Sequence, residues 1–264
     1  MRGPRRLSGL RALVTGGSSG VGRAVAIELA ARGVHVLATA RRGDRLAGLQ
    51  ASLLPLRDSP RFTFAAGDIT LASFREHLVR IAIERLGGLD LVVAAAGSGA
   101  IGSLATMPAD TFRGVLDLNL VAPAELVRIT LPHLAAGRDP AIVLVGSILG
   151  YHPLPLHAAY CAAKAGVVAL AGSLRHELRP QGIDVLLASL GPTESEFWDA
   201  LLSGERPAWS RGRPLSAETT AQSIVNALEH RRREVIPGWR AKAFVFVARH
   251  AARIIDAIVS RHAT

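Results

Sequence analysis

The chain reads as an α/β protein: a single doubly wound Rossmann-type domain with a parallel sheet, followed by an amphipathic helical extension. Three observations predict this. Short apolar runs alternate with stretches of helical periodicity from Leu10 to Ser189. The first run ends in a glycine-rich turn, Thr15–Gly22, which opens directly into a helical pattern. The turns between elements are short, as they are in repeated βα units. With 264 residues, 49% of them hydrophobic, the chain is long enough to bury one full core.

Leu10–Thr15 is a strand-length run. After Thr15-Gly16-Gly17-Ser18-Ser19-Gly20-Val21-Gly22, helical spacing continues through Val25, Ile27 and Leu29 to Ala31, and Gly33 closes it. Such glycines let the backbone approach a pyrophosphate, and the helix N-terminus offers free N–H groups and a positive dipole end. Val34–Ala40 is the second strand and ends in Arg41-Arg42. A free ribose 2′-hydroxyl usually meets an acid near this point, whereas a 2′-phosphate needs cations. Ala40, Arg41 and Arg42 fill the turn and Asp44 is the nearest acid, so NADP(H) is expected over NAD(H).

The alternation continues with a helix over Leu46–Leu54, a strand over Phe62–Ala66 and a turn at Gly67-Asp68-Ile69. Asp68 either accepts from an adenine amino group, with Ile69 against the ring, or caps the helix from Leu71 to Leu86. Leu89–Ala95 is the fourth strand, ending in Ala96-Gly97. Pro108 opens one long helix running past Asn119 towards His133. Ala141–Val145 is the fifth strand, with Ser147 just beyond it. A helix over about His157–Leu178, a strand over Ile183–Ser189, a helix over Ala217–His230 and an edge strand over Glu234–Ile236 complete the domain, residues 8–238. In open parallel sheets ligands bind beyond the carboxyl ends of the strands. The glycine turn, Ala96-Gly97, Ser147 and Gly191-Pro192 all fall there.

Chemistry centres on Tyr160 and Lys164, four apart on one helix face. An ammonium beside a phenol favours the phenolate, which makes the pair a candidate acid/base centre. The chain has 2 lysines against 29 arginines, so a lysine here suggests a demand that a guanidinium would not meet. His152 and His157 lack the clustered spacing of a metal site, and no metal is expected. Cys161, the only cysteine, reads as a small core residue and excludes an internal disulfide.

Taken together, these residues resemble the short-chain dehydrogenase/reductase family over about residues 8–236. Thr15–Gly22 matches its TGxxxGxG turn, including Thr15, Gly16, Ser18, Ser19, Gly20, Val21 and Gly22. Asn119, Ser147, Tyr160 and Lys164 match its catalytic tetrad, and Arg41 and Arg42 fall where NADP-preferring members carry basic residues. Gly191, Pro192, Thr193 and Ser195 lie in the segment expected to hold the nicotinamide carboxamide. The family's NNAG segment reads Ala94-Ala95-Ala96-Gly97 here, and its Pro-Gly reads Leu190-Gly191 followed by Pro192. The first departure removes asparagine hydrogen bonds, and the second bears on the nicotinamide contact. The resemblance implies hydride transfer between NADP(H) and a carbonyl or secondary alcohol, with Tyr160 as acid/base. Lys164 would lower the tyrosine pKa and hold the nicotinamide ribose, Ser147 would bind the carbonyl oxygen, and Asn119 would shape a proton-relay water. An epimerase using the same site, or a non-catalytic NADP(H)-binding or membrane-surface scaffold, is the alternative.

Substrate choice is assigned to three stretches: Tyr151–His157, Ile101–Met107 and a lid over Glu194–Arg213. The lid is rich in Phe197, Trp198, Leu201, Leu202 and Trp209, with Gly204 and Gly212 permitting movement. Its apolarity points to a hydrophobic small-molecule substrate. The net charge of +10 sits at the two ends, residues 1–11 and 231–264, and leaves the interior neutral, so a nucleic-acid groove is not indicated. Residues 239–264 carry Phe244, Val247, Ala251, Ile254, Ile255, Ile258 and Val259 at helical spacing among cations. This extension packs on its own fold, on a partner subunit, or on a membrane surface. No signal peptide or membrane-spanning helix is expected, which suits a cytoplasmic protein, with membrane association through the tail as the variant. Family habit implies a homodimer or homotetramer through the helices near 108–135 and 157–178, where Ala162, Ala163, Ala165, Gly166 and Ala169 permit close approach.

Overall fold

The computed structural model describes residues 3–53, 61–205 and 214–260. Seven parallel strands form one sheet: β1 (Arg11–Thr15), β2 (His35–Ala40), β3 (Phe62–Ala66), β4 (Leu91–Ala94), β5 (Ala141–Ser147), β6 (Asp184–Leu190) and β7 (Glu234–Val235). Their order is β3-β2-β1-β4-β5-β6-β7. The chain winds outward in one direction from β1 to β3, crosses back, and winds the other way from β4, so the switch point lies between β1 and β4. The first and second glycine-bearing turns, after β1 and β4, flank that crevice.

Both faces of the sheet are covered, which explains the near-continuous Val, Leu, Ile and Ala of its strands. One layer contains α1 (Gly20–Ala31), α2 (Gly43–Leu53) and α7 (Ala217–Glu229). The other contains α3 (Ala72–Leu86), α5 (Ala122–Ala135) and α6 (Ala158–Glu177). Alternate residues of one strand serve opposite layers: Ala12 and Val14 face the first, Leu13 the second.

The expected long helix from Pro108 is interrupted. It comprises α4 (Ala109–Leu116), a π-helical turn over Asp117–Val121, and α5. Pro123, in the first turn of α5, has no N–H to give the carbonyl four residues back. The Ala122 N–H bonds Asp117 O, five back, while the Asn119 side-chain amide donates to Val115 O at 2.9 Å. The widened turn thus turns Asn119 into the fold, where it is buried.

Both chain ends are built into the fold. Arg5 is buried: its guanidinium donates to Leu228 O at 2.7 Å and pairs with Asp184 at 2.5 Å. Arg231 joins the same acids, Asp139 and Asp184. The extension is not one helix but two, α8 (Trp239–His250) and α9 (Ala252–Ser260), bent at Ala251. Val245 is buried, Ala241 lies against Gly191, and Asp256 of α9 meets His152 at 3.3 Å, so the extension packs on its own fold. Among the described residues no helix is long and apolar enough to cross a membrane.

Candidate active site

A cleft of about 620 Å³ opens at the carboxyl ends of the strands. The tetrad, Thr15, Gly16 and Ser18–Gly22 of the glycine turn, Arg41 and Arg42, Asp68 and Ile69, Ala95–Gly97, and Gly191, Pro192, Thr193 and Ser195 line it.

The glycine turn is built for close approach. Gly16 has φ +73°, and a methyl on Gly22 would lie 2.4 Å from Gly16 O, so the first turn of α1 rests directly on the end of β1. Ser19, at the helix N-cap, makes no side-chain capping bond, and no acid occupies the first turn. Instead the Ser19 and Ser18 hydroxyls accept from Arg42 at 2.7 and 3.3 Å. The free N–H groups of α1 therefore face the cleft without an intramolecular anion, which is the arrangement a phosphate fits.

The loop after β4 is held although its asparagines are absent. Thr15 Oγ1 accepts from the N–H groups of Ala95 and Ala96, each at 3.0 Å. Asn119 Nδ2 donates to Ser98 O at 2.7 Å. Asn119 Oδ1 is buried without a hydrogen-bond partner among the described residues. A methyl on Gly97 would lie 2.8 Å from that oxygen and 3.7 Å from Lys164 Nζ, so both atoms border one small space. An orphaned acceptor beside a lysine nitrogen is a place for an ordered water.

α6 carries Tyr160 and Lys164 on its cleft face. Its Gly166 packs under Leu120 of the π turn, which sets α6 against Asn119. Lys164 Nζ donates to Val145 O at 2.9 Å and lies 5.7 Å from the centre of the Tyr160 ring. Burial pushes the Lys164 ammonium down to about 8. Burial likewise pushes the Tyr160 phenol up to about 12, against an opposing hydrogen bond from Ser147. Burial is thus the largest influence on both groups in the protein alone, and the Lys164 charge is not among the causes that move the phenol.

Asp68 holds the turn ahead of α3 but does not cap that helix, whose N-cap Leu71 receives no side-chain bond, and it lines the cleft. Its Oδ1 accepts from the Thr70 N–H at 2.9 Å and the Thr70 hydroxyl at 2.7 Å. Burial raises its pKa, but these two bonds and the Arg41 charge more than offset that, so it stays below the ordinary carboxylate range.

Two residues that the sequence did not single out stand at the cleft rim. Glu196 pairs with Arg42 at 2.7 Å and also with Arg45, one turn along α2. Arg45 was legible as a neighbour of Arg42 on a helix; Glu196 was not, because it reaches them from a loop more than a hundred residues away. The lid is seated, not loose. Leu202 N–H donates to Gly99 O at 2.8 Å, Ile101 N–H to Ser203 O at 2.9 Å, and Phe197 meets the Tyr160 ring edge-on at 5.4 Å. Trp209 and Gly212 lie outside the described residues. Phe197, Trp198 and Leu202 line the cleft, whereas neither Tyr151–His157 nor Ile101–Met107 does. Tyr151 points the other way: its hydroxyl bonds Ser189 at 2.9 Å and Glu234, under the Arg249 guanidinium. Among the described residues no three potential ligands cluster for a metal, and His152 serves the α9 contact instead.

The fold and this site together define a nucleotide-binding oxidoreductase of the Rossmann class. The short chain dehydrogenase family model matches residues 11–206. The chain belongs to that family. It is 39% identical over 194 residues to an uncharacterised oxidoreductase of Myxococcus xanthus, covering 70% of this chain and 73% of that protein. It is 31% identical over 222 residues to a 3-oxoacyl-[acyl-carrier-protein] reductase of Rickettsia bellii, covering 84% and 88%. A Burkholderia phymatum short-chain dehydrogenase/reductase solved with NAD shares the fold, with a TM-score of 0.83 at 24% identity over 95% of this chain and 96% of that one. A nicotinamide dinucleotide is the cofactor class that goes with this family.

Proposed function

We propose that the protein is an NADP(H)-dependent oxidoreductase that interconverts a lipophilic carbonyl compound and its secondary alcohol, with Tyr160 as general acid/base. The observation that carries this is the meeting of Tyr160, Ser147 and Lys164 in one cleft with the uncapped N-terminus of α1. The residues present fit a dinucleotide. Gly16 and Gly22 leave the backbone open, and α1 offers N–H groups to the pyrophosphate. Arg41, Arg42 and Arg45 supply cations beside the turn after β2, which favours a 2′-phosphate over a bare ribose. Gly191, Pro192, Thr193 and Ser195 would hold the carboxamide end, and Asp68 and Ile69 would border the adenine.

When bound, the cofactor supplies or accepts the hydride. Ser147 would donate a hydrogen bond to the substrate oxygen, where negative charge develops during reduction. Tyr160 would pass its proton to that oxygen; a phenol with a raised pKa is protonated at neutral pH, the state this direction needs. Lys164, with its pKa near 8, exchanges protons readily close to neutrality, and the space it shares with Asn119 Oδ1 would hold the relay water that reprotonates Tyr160. Phe197, Trp198 and Leu202 would select an apolar substrate. We further infer a homodimer or homotetramer, since the exposed stripe Ala162, Ala165 and Ala169 on α6 suits close helix approach, and a cytoplasmic setting, which suits the single buried thiol of Cys161.

The test is NADPH oxidation over a panel of aliphatic, steroid, quinone and keto-lipid carbonyls, run beside Tyr160→Phe. Turnover by the wild type, lost by a factor of 100 or more in the variant with NADPH binding intact, is the expected result (about the scale of general acid catalysis). Tight NADPH binding by both with no turnover on any class would replace the enzyme reading with a binding protein.

A further inference from the structure

The C-terminal helices present an apolar ridge that the reaction does not use. On α8, Trp239, Ala243, Phe246 and His250 recur four, three and four apart, so they share one face, and all four are exposed. Trp239 is 74% exposed and Phe246 65%, while Ile254 extends the ridge onto α9 at 56%. Phe246 and His250 stack at 4.5 Å, giving one continuous aromatic surface. The opposite face of α8 is committed to the fold: Ala241 and Val245 are buried, and Phe244 meets His152 edge-on. The ridge is also held rigidly. Arg249 makes a bidentate pair with Glu234 and covers the Tyr151 ring, and Asp256 meets His152.

These tethers sort the charge. Glu234 and Asp256, the only acids after residue 230, both engage groups of the fold. Arg240, Lys242 and Arg253 are exposed beside the ridge and form no salt bridge among the described residues. Aromatic side chains flanked by three unpaired cations, against one exposed acid, Asp256, that is turned to His152, match the chemistry of an anionic bilayer: rings at the headgroup level, cations against lipid phosphate and carboxylate. A second copy of the chain is a poor occupant, because a two-fold contact would set these cations against their own counterparts.

We propose that the Trp239–Phe246–Ile254 ridge docks this protein on the surface of a membrane rich in anionic lipid. This surface is independent of the reaction proposed above, and the experiment reads binding, not turnover. Full-length protein is floated with vesicles of phosphatidylcholine alone, or with about a third of phosphatidylserine added. Flotation is expected with the anionic vesicles, weaker with neutral ones, and lost at high salt. Two double variants divide the contributions. Lys242→Gln with Arg253→Gln should weaken binding about 25-fold, from roughly fivefold per cation near an anionic surface. Trp239→Ser with Phe246→Ser should weaken it at least tenfold on both vesicle types. All four side chains are exposed, so an unchanged melting temperature should accompany each loss. Absence of flotation with anionic vesicles overturns the proposal, as does flotation that neither double variant reduces. Dissociation of an oligomer by Trp239→Ser with Phe246→Ser, with lipid binding unchanged, would assign the ridge to a second copy instead.

Discussion

Glu196 occupies the cations that a 2′-phosphate would need, so Glu196→Gln should tighten NADPH and leave NADH alone. The carboxylate pairs with Arg42 and Arg45 from side chains that are each close to 40% exposed. At that exposure an ion pair contributes about 0.5 kcal/mol, and two contribute about 1 kcal/mol. A 2′-phosphate must displace both, so removing the acid's charge while keeping its size should lower the Kd for NADPH about fivefold. NADH has no group that competes for the two arginines. The gain should shrink as salt rises, because all three partners are solvent-accessible. Calorimetric titration of wild type and variant with both cofactors, at low and high ionic strength, measures this directly. Arg42→Ala is the counterpart: losing a charge-assisted bond of about 1.5–3 kcal/mol should weaken NADPH roughly 10- to 100-fold and NADH little. Equal changes for both cofactors in either variant would refute the assignment of these arginines to the 2′-phosphate.

Other substitutions probe how the site is built. Lys164 is charged in the unfolded chain up to its ordinary pKa of 10.5 but loses its proton near 8 when folded. The unfolded state therefore binds more protons between those values, and stability of the cofactor-free protein should rise by about 3 kcal/mol from pH 8 towards 10.5. Tyr160 acts oppositely above pH 10, where the unfolded phenol ionises and the folded one does not. Urea midpoints across pH 7–10 should show the rise in wild type and none in Lys164→Met, where the buried Cys161 thiol, its pKa raised by burial, turns the profile downward above pH 9; a rise that survives the substitution would place its source elsewhere. Gly22→Ala sets a methyl 2.4 Å from a backbone oxygen that cannot move aside, so dinucleotide binding should fall at least tenfold even if the protein folds (about 1.4 kcal/mol per tenfold). Intact binding in a folded Gly22→Ala protein would mean the turn does not touch the ligand. Arg5→Ala leaves buried carbonyls and Asp184 short of a partner and should cost about 3 kcal/mol in chemical denaturation; a loss below about 1 kcal/mol would show that Arg231 suffices for the cluster.

What the sequence made legible was set by local rules. Strand and helix periods depend on which layer a residue faces, and Ala12, Leu13 and Val14 divide between the two layers as alternation requires. Once the strands run parallel, their carboxyl ends must share one edge, so residues far apart in the chain meet without further information. Thr15, Gly97, Ser147 and Lys164 are gathered by topology alone. The π turn escaped because helical spacing on either side of it is intact; its cause is a missing N–H at Pro123, and its purpose is visible only when Asn119 is seen reaching Val115 and Ser98. Tyr151 was misplaced for a related reason. Proximity to Tyr160 in sequence suggests the substrate side, but Ser189 and Glu234 sit on neighbouring strands behind the cleft and capture its hydroxyl. The same two-sidedness joins the chemistry to the tail. The turn after β5 begins at Ser147, inside the cleft, and within five residues reaches Tyr151 and His152, which hold α8 and α9.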